Sequence, residues 1–354
     1  MIVVPKKWRS IPLKEKLEVP EKKFNINPKE INRIRAIANK REKLLEAAKL
    51  EIKLFGEIHT YLLVWIAGYG SDAEVRSVFG STKKLRALLI EPPKNNWGVE
   101  FSLNDLKRGI KLPEKITPIL AEEIGIHLGD GNLYVYLDKY GYKSYNASFT
   151  GDLRDESIYH KNFIAGILKE LYNLNPKFIE RVEKNSIETR YNSRAILEFK
   201  SKVLGLPIGP KKKAKIPKMI FDNNNLAKRC LVGIFDTDFH ITSSLSISGK
   251  LHSLLLAEQV HKILIKNKIK HVYRKYFDYV RFYIPQKETR IIVKEWGMHN
   301  LKHLSKFDVF DKFGIYIPFS STKERIDLLN DKISVDALKV ITSDRRLKIK
   351  DNKL

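Results

Sequence analysis

Two aspartates carry the clearest chemical signal in this chain of 354 residues. Asp130 follows Glu123-Ile124-Gly125-Ile126-His127-Leu128-Gly129, and Asp238 follows Leu231-Val232-Gly233-Ile234-Phe235-Asp236-Thr237. Superposing the two runs sets Gly125 on Gly233, Gly129 on Thr237 and Asp130 on Asp238. Each aspartate falls at the C-terminal end of a predicted helix, where a carboxylate faces the negative end of the dipole at a cost of about 0.3–1 kcal/mol. Taken singly, each reads as a polar residue at a helix end. As a repeat-aligned pair they read as ligands for divalent cations, because hard oxygen donors suit Mg²⁺ (or Mn²⁺). A cation so held can activate water and stabilise a leaving oxygen.

The elements that must position these acids repeat as well. The first copy begins at the Thr117-Pro118 helix start, which carries proline in its first turn. Strands over 133–137 and 142–150 follow around Lys139-Tyr140-Gly141, then a helix over 155–172, strands over 177–183 and 187–191, and a helix from Ser193. The second copy begins at the Asn223–Asn225 cap, with a helix over 226–238 and an extended piece over 241–248. A helix over 251–266, strands over 270–276 and 279–284, and a helical segment complete it. From Asp130 to Gly205 is 75 residues, and from Asp238 to Gly314 is 76, the agreement a duplication predicts. Asp236 aligns with Leu128, so it is expected as a surface or packing residue. His127 aligns with Phe235 and is expected in the interior. His240, just past the second acid, is a candidate for a place near phosphate.

The bulk composition narrows the partners. The net charge of +25, from 66 basic and 41 acidic residues, resists compaction and calls for a polyanion, nucleic acid first and an anionic membrane second. The most apolar run, Tyr61 to Ala67, is far shorter than the roughly 20 residues a spanning helix needs, so no membrane role is expected. The first residues lack the apolar stretch of a signal peptide. A single cysteine, Cys230, excludes an intramolecular disulfide framework and any CxxC zinc site. The expectation is a monomer in the cytoplasm.

Before the repeat, residues 1–30 read as an irregular arm and 31–102 as a helical region. In it Ile31, Ile34, Ala38, Leu44 and Leu45 keep helical spacing from Pro28 to Leu54, and a second helical stretch covers 57–67. Gly70-Ser71-Asp72 then opens AEVRSVFG and STKKLRALLIE, two short helices about a Gly-Ser turn, the second one basic, in the manner of a helix-turn-helix. A helical cap is the alternative. Pro92-Pro93 marks a break. Residues 103–220 form the first half, 221–330 the second, and 331–354 a basic tail.

Over roughly residues 105–325 the chain resembles the LAGLIDADG homing endonuclease family in its single-chain form with two motifs. The run KLPEKITPILAEEIGIHLGDG, the segment LGLPIGPKKKAKIP and the core GIFDTD carry the resemblance. It implies an α+β fold of two pseudo-twofold αββαββα halves, whose saddle-shaped antiparallel sheets lie in the major grooves of double-stranded DNA. Small residues four apart (Gly125/Gly129 and Gly233/Thr237) would let the two motif helices cross closely, bringing the aspartates together over Mg²⁺ ions that share the scissile phosphates. By the same resemblance the backbone carbonyls of Gly129 and Thr237 complete the metal shell, and Arg190 and Lys287 are the nearest equivalents of a catalytic basic residue in each half. For both, solvated surface charge is the alternative.

Candidate base readers are Tyr134, Tyr136, Lys143, Tyr145 and Ser148 in the first half, and Thr242, Ser244, Arg274, Lys275 and Arg281 in the second. Lys211, Lys212, Lys213 and Lys215 would hold phosphates. The second half departs from the pattern: Phe239 replaces a glycine, and only about ten residues separate Asp238 from Ser248-Gly249, so its first hairpin must be short or missing. Three functions fit: a metal-dependent DNA endonuclease, a non-cleaving DNA-binding regulator that also uses the N-terminal helices, and a maturase acting on structured intron RNA. No protein-splicing junction residues flank the domain, which argues against an intein.

Overall fold

The structure, a computed structural model, describes residues 26–89, 95–137 and 143–351. It divides into two compact units, Met1–Pro93 and Lys94–Leu354. The arm expected over 1–30 lies outside the described residues as far as Asn25, as do the Pro92-Pro93 break and the Lys139-Tyr140-Gly141 turn.

The first unit is helical: α1 (Pro28–Arg35), α2 (Lys40–Phe55), α3 (Thr60–Ile66), α4 (Ala73–Phe79) and α5 (Thr82–Leu89). The helical spacing that runs through 28–54 in the sequence is broken in the structure at Asn39. Its side chain accepts the Glu42 amide and caps a fresh helix, which outweighs continuity of the periodicity. Ile31, Ile34, Leu44, Leu63, Val75 and Leu85 form the core of the unit. Gly80, at φ +74°, ends α4 in the left-handed region and turns the chain into α5.

The second unit is a mixed α+β fold whose two sheets have the same topology. It opens with α6 (Leu103–Lys107) and the motif helix α7 (Pro118–Asp130). Thr117 caps α7 by accepting the Leu120 amide, and Pro118 opens the first turn. Then come β1 (Gly131–Leu137), β2 (Lys143–Asp152), α8 (Leu153–Ile158), α9 (Ala165–Tyr172), β3 (Lys177–Arg181), β4 (Ser186–Asn192), α10 (Arg194–Glu198) and α11 (Lys218–Phe221). The helix expected over 155–172 is present as a continuous helical run over 153–172, with a π stretch at Tyr159–Ile164.

The second motif helix, α12 (Asn224–Asp238), starts the other half. Behind it lie β5 (Phe239–Ile241), β6 (Ile247–Leu251), α13 (Leu254–Lys266), β7 (Val272–Lys275), β8 (Val280–Ile284), α14 (Gln286–Ile291), α15 (Leu301–Phe313), α16 (Thr322–Leu329) and α17 (Val335–Asp351). The first sheet runs β1-β2-β4-β3 and the second β5-β6-β8-β7, all antiparallel. The short hairpin expected after Asp238 is present, with β5 reduced to three residues. Much of the segment read as a basic tail is the helix α17, fixed by the Arg345–Glu324 ion pair at 2.5 Å and the buried Leu338.

The contact between α7 and α12 is the most extensive of any two elements. It depends on glycine. A Cβ on Gly233 would stand 2.7 Å from the Ile126 amide nitrogen and 3.0 Å from the Gly125 carbonyl carbon, and would also strike the Glu122 carbonyl oxygen. Backbone cannot move aside as a flexible side chain can, so the two glycines are interlocked. Buried side chains then tie α7 to the first half. Lys200, wholly buried, pairs with Glu123 and donates to the Tyr191 hydroxyl at 3.0 Å, while the Tyr172 hydroxyl donates to Glu123 at 3.1 Å.

Gly233→Ala is expected to lower stability by about 3 kcal/mol or more through overpacking against backbone. Gly166→Ala, in α9 where nothing lies within 4 Å of the added carbon, should be neutral or gain up to about 1 kcal/mol. Thermal melts of the two variants check this, and equal behaviour would contradict the interlock.

Candidate functional site

Asp130 and Asp238 are the last residues of α7 and α12, and the helix crossing brings these two ends side by side. A Cβ on Gly129 would lie 2.6 Å from the Thr237 Cβ and 3.5 Å from the Asp238 amide nitrogen, so the residue before one acid packs against the residue before the other. The Thr237 hydroxyl is turned back on its own helix, donating to the Gly233 carbonyl at 2.8 Å, which leaves the carbonyl-side edge of the crossing to the carboxylates. Asp130 is half-buried and Asp238 solvent-accessible.

Their electrostatics match the position. Burial, then the carboxylates of Glu156 and Asp238, push Asp130 up to about 8, with Lys211 and Lys302 opposing. Asp238, closely surrounded though accessible, is raised by loss of hydration and lowered by Lys211 and then His252. Lys211 is the cation between them: its ammonium donates to the Leu128 carbonyl at 3.0 Å and to that of Gly129, at the negative end of α7. Burial lowers the Lys211 ammonium, and the two aspartates raise it. The sequence offered Lys211 as one of a phosphate-binding run. The structure separates it from Lys212, Lys213 and Lys215, which are exposed. Nothing in a lysine run distinguishes the one that folds inward; the signal lay in the loop, where Gly209 donates to the Leu133 carbonyl at 2.7 Å and docks the segment on β1.

Asp236, expected at the surface or in packing, is fully buried. It accepts the backbone amides of His299 at 3.0 Å and Asn300 at 3.1 Å, and burial pushes its carboxyl up to about 7. Glu122, Asp236 and His299 bring ligand atoms within 4.8 Å of one another. Each already has a partner, since Glu122 pairs with Arg229 and meets His299 Nδ1 at 2.7 Å. This satisfied network, reached also by Asn300 donating to Glu156 at 2.9 Å, locks the second half to the first beneath the aspartates. An arginine on the carboxylate disfavours a cation there. His127 is buried, as expected, against the Phe149 ring.

Strand register decides which side chains share the polar face of each sheet. In the first sheet Asn132 pairs with Ser148, Tyr134 with Asn146 and Tyr136 with Ser144, and Ser148 in turn with Arg190. These lie opposite the face that buries Leu133, Ala147 and Phe149. Tyr134 and Tyr136 stack with centroids 6.4 Å apart. Tyr145 is a correction: it pairs with Val135, shares the parity of Leu133 and Ala147, and packs partly on the core. Lys143, paired with Leu137, has the same parity and is exposed at the strand end. Arg190 holds Glu188 through Nε at 3.0 Å and Nη2 at 2.9 Å within the polar face, next to Lys177 on β3, whereas the cations whose charge reaches Asp130 are Lys211 and Lys302.

In the second sheet His240 pairs with Ser248, Ser248 with Tyr283, Lys250 with Arg281 and Arg281 with Arg274, again opposite the buried Phe239, Ile247 and Phe282. Lys275 is the second correction. It pairs with Val280 on the core-side parity, its ammonium over the Tyr273 ring at 5.5 Å. Thr242 and Ser244 hydrogen-bond each other at 3.0 Å in the β5–β6 turn. Lys287 is exposed in the first turn of α14. Sequence reading missed Asn132, Asn146, Lys177, Lys250 and Tyr283, because alternation within one strand does not give the phase between strands.

No described helix is long and apolar enough to cross a membrane. The chain matches no protein-family profile. No curated protein matches it in sequence. Among solved structures it is similar to the homing endonuclease I-DmoI in complex with DNA and Mn, with 17% identity over 51% of this chain and 97% of that one, at a TM-score of 0.41. It is also similar to I-SmaMI bound to uncleaved DNA target in the presence of calcium ions, with 13% identity over 65% and 97%, at a TM-score of 0.40.

Without metal, the unfolded chain ionises Asp130 near its ordinary value of 3.8 while the folded protein keeps the proton to about 8. The fold therefore loses stability as pH rises between those values. Asp130→Asn is expected to flatten that decline and to raise the metal-free melting point at pH 8 by about 2–4 °C for each 1 kcal/mol relieved. Melts of both proteins across pH 4–9 check it; a steeper decline in the variant would contradict the electrostatics.

Proposed function

We propose that the chain is a site-specific endonuclease of double-stranded DNA, of the LAGLIDADG homing type. The observation that carries the reading is the pair of repeat-equivalent acids, Asp130 and Asp238, at touching ends of two glycine-interlocked helices. Two like sheets with polar, cation-bearing faces flank them.

The donor set fits hard divalent cations. Asp130 and Asp238 offer carboxylate oxygens, and the mutual repulsion of the acids is relieved by added positive charge; the Gly129 carbonyl can join them only where Lys211 releases it. When bound, Mg²⁺ or Mn²⁺ supplies neutralisation of phosphate charge and a water of lowered pKa. The chain's own residues hold and exclude. Lys211 keeps the carboxylate pair compensated and presents its ammonium at the crossing, while the network of Glu122, Asp236, His299 and Asn300 keeps the helix ends from separating. Arg190 remains a candidate for the phosphate edge through its place on the polar face. Lys287, being exposed on α14, is assigned to backbone contact at most.

For binding, the polar faces supply Tyr134, Tyr136, Arg274 and Arg281 toward base edges, and Lys212, Lys213 and Lys215 toward phosphates. A second reading, a DNA-binding regulator that does not cut, is favoured by one observation: β5 has only three residues, so the second face is the smaller. The N-terminal unit, with α4 and α5 about Gly80, would then be a second DNA contact.

A plasmid library incubated with Mg²⁺ or Mn²⁺ tests the proposal. Cleavage at a defined site is expected, and Asp130→Asn and Asp238→Asn should each reduce it about a hundredfold or more while leaving binding intact, since a held cation is worth several kcal/mol to the transition state. Specific binding without any cutting in either metal would favour the regulator, and preference for structured RNA a maturase. Arg281→Ala should cost about 1–3 kcal/mol and relax sequence choice, whereas Lys213→Ala should lower the salt slope of binding by about 1 at all sequences. Binding that hardly changes with salt would contradict contact through phosphates.

A further inference from the structure

The second half carries a group of side chains that the proposed nuclease site does not use. His261 on α13 and His271, just before β7, meet with Nδ1 of the first 2.7 Å from Nε2 of the second. The other nitrogen of His271, Nδ1, lies 2.8 Å from the Ile269 carbonyl. A carbonyl only accepts, so Nδ1 carries the hydrogen, and in the neutral ring it is the Nε2 lone pair that faces His261. Metal-ligating histidines are oriented this way, by a backbone carbonyl on the far nitrogen. The His261 ring is held as well: Tyr273 stacks on it with centroids 4.3 Å apart and planes 13° from parallel. The Tyr273 hydroxyl donates to Glu258 at 3.1 Å. Glu258 precedes His261 by three residues on α13 and so shares its face of the helix.

We infer that His261 and His271 form a binding site for a borderline transition-metal ion, Zn²⁺, Cu²⁺, Ni²⁺ or Co²⁺, distinct in chemistry from the hard-oxygen pair at Asp130 and Asp238. Imidazole selects these ions over Mg²⁺. Both rings are half-buried, fixed by packing yet open to solvent on one side. With metal–nitrogen bonds of about 2.0–2.1 Å, two nitrogens on one tetrahedral ion stand ~3.3 Å apart. The rings therefore part and turn so that both nitrogens converge on the ion, with water completing its shell. The single hydrogen of His261 moves from Nδ1 to Nε2, so binding to the neutral pair releases no proton. Burial first, then His271, holds the His261 imidazole below its ordinary range. Lys262 and Lys275, each 3.8 Å from the Glu258 carboxylate, oppose a cation and weaken the site without occupying the nitrogens. An ion here clips the edge strand β7 to α13, stiffening the hairpin that presents Arg274 and Arg281. The site stands independently of the nuclease proposal.

Calorimetric titration of the full chain with Zn²⁺, in excess Mg²⁺ so that hard-oxygen sites are filled, tests this, with Co²⁺ absorbance reporting nitrogen ligation. One equivalent is expected to bind. His261→Gln and His271→Gln should each weaken it at least 10–100-fold, the range (about) that loss of a mere supporting contact produces. Unchanged stoichiometry and affinity in both variants, or no binding to the unaltered chain, would overturn the inference. Should a variant fail to fold by circular dichroism, ring ¹⁵N spectra of the unaltered protein decide: Zn²⁺ must shift His261 and His271, and an unshifted pair refutes the site.

Discussion

Backbone against backbone at the crossing of α7 and α12 is the constraint on which the second unit depends. Gly125 and Gly233 leave no room for a methyl group, and because the obstructing atoms are carbonyls and amides, the contact has one solution. That solution fixes where both helices end. The acids at 130 and 238 are neighbours because the glycines five positions before each, Gly125 and Gly233, are in contact. A carboxylate pair at two helix C-termini is electrostatically unfavourable, and the surroundings respond with Lys211 at the α7 carbonyls and a buried hydrogen-bond network beneath. The crossing thus combines close backbone packing with a cluster of charged groups.

Burial and charge are divided between the two sides of each sheet by strand parity. One side closes over Phe149, Ile187 and Tyr191 in the first half and over Phe239, Ile247 and Phe282 in the second. The other side is left with amides, hydroxyls, tyrosines and guanidiniums. Because the two sheets share a strand order, the polar faces flank the helix ends in related ways, and the short β5 makes them unequal.

Much of this was legible in the sequence. Helix caps at Thr117 and Asn223, the glycines at fixed offsets from each aspartate, and the 75- and 76-residue spacings identified two copies and their paired acids. What escaped was information that only tertiary contact supplies. Tyr145 and Lys275 cannot share a face with Ser148 and Arg274, since each pair has opposite parity in its strand; the register against Val135 and Val280 puts Ser148 and Arg274 on the polar face. Asp236 looked dispensable by alignment with Leu128, yet it is held by amides 63 and 64 residues away. Lys211 was indistinguishable from its neighbours until the loop docked on β1. The break at Asn39 and the π turn at Tyr159–Ile164 likewise come from local hydrogen bonds that apolar periodicity does not encode.

The most direct test of the central claim is the anomalous diffraction of Mn²⁺ in crystals of the protein with bound DNA. The account predicts manganese within about 2.0–2.6 Å of carboxylate oxygens from both Asp130 and Asp238. Manganese bound instead by Glu122, Asp236 and His299, or no manganese at either aspartate, would contradict it.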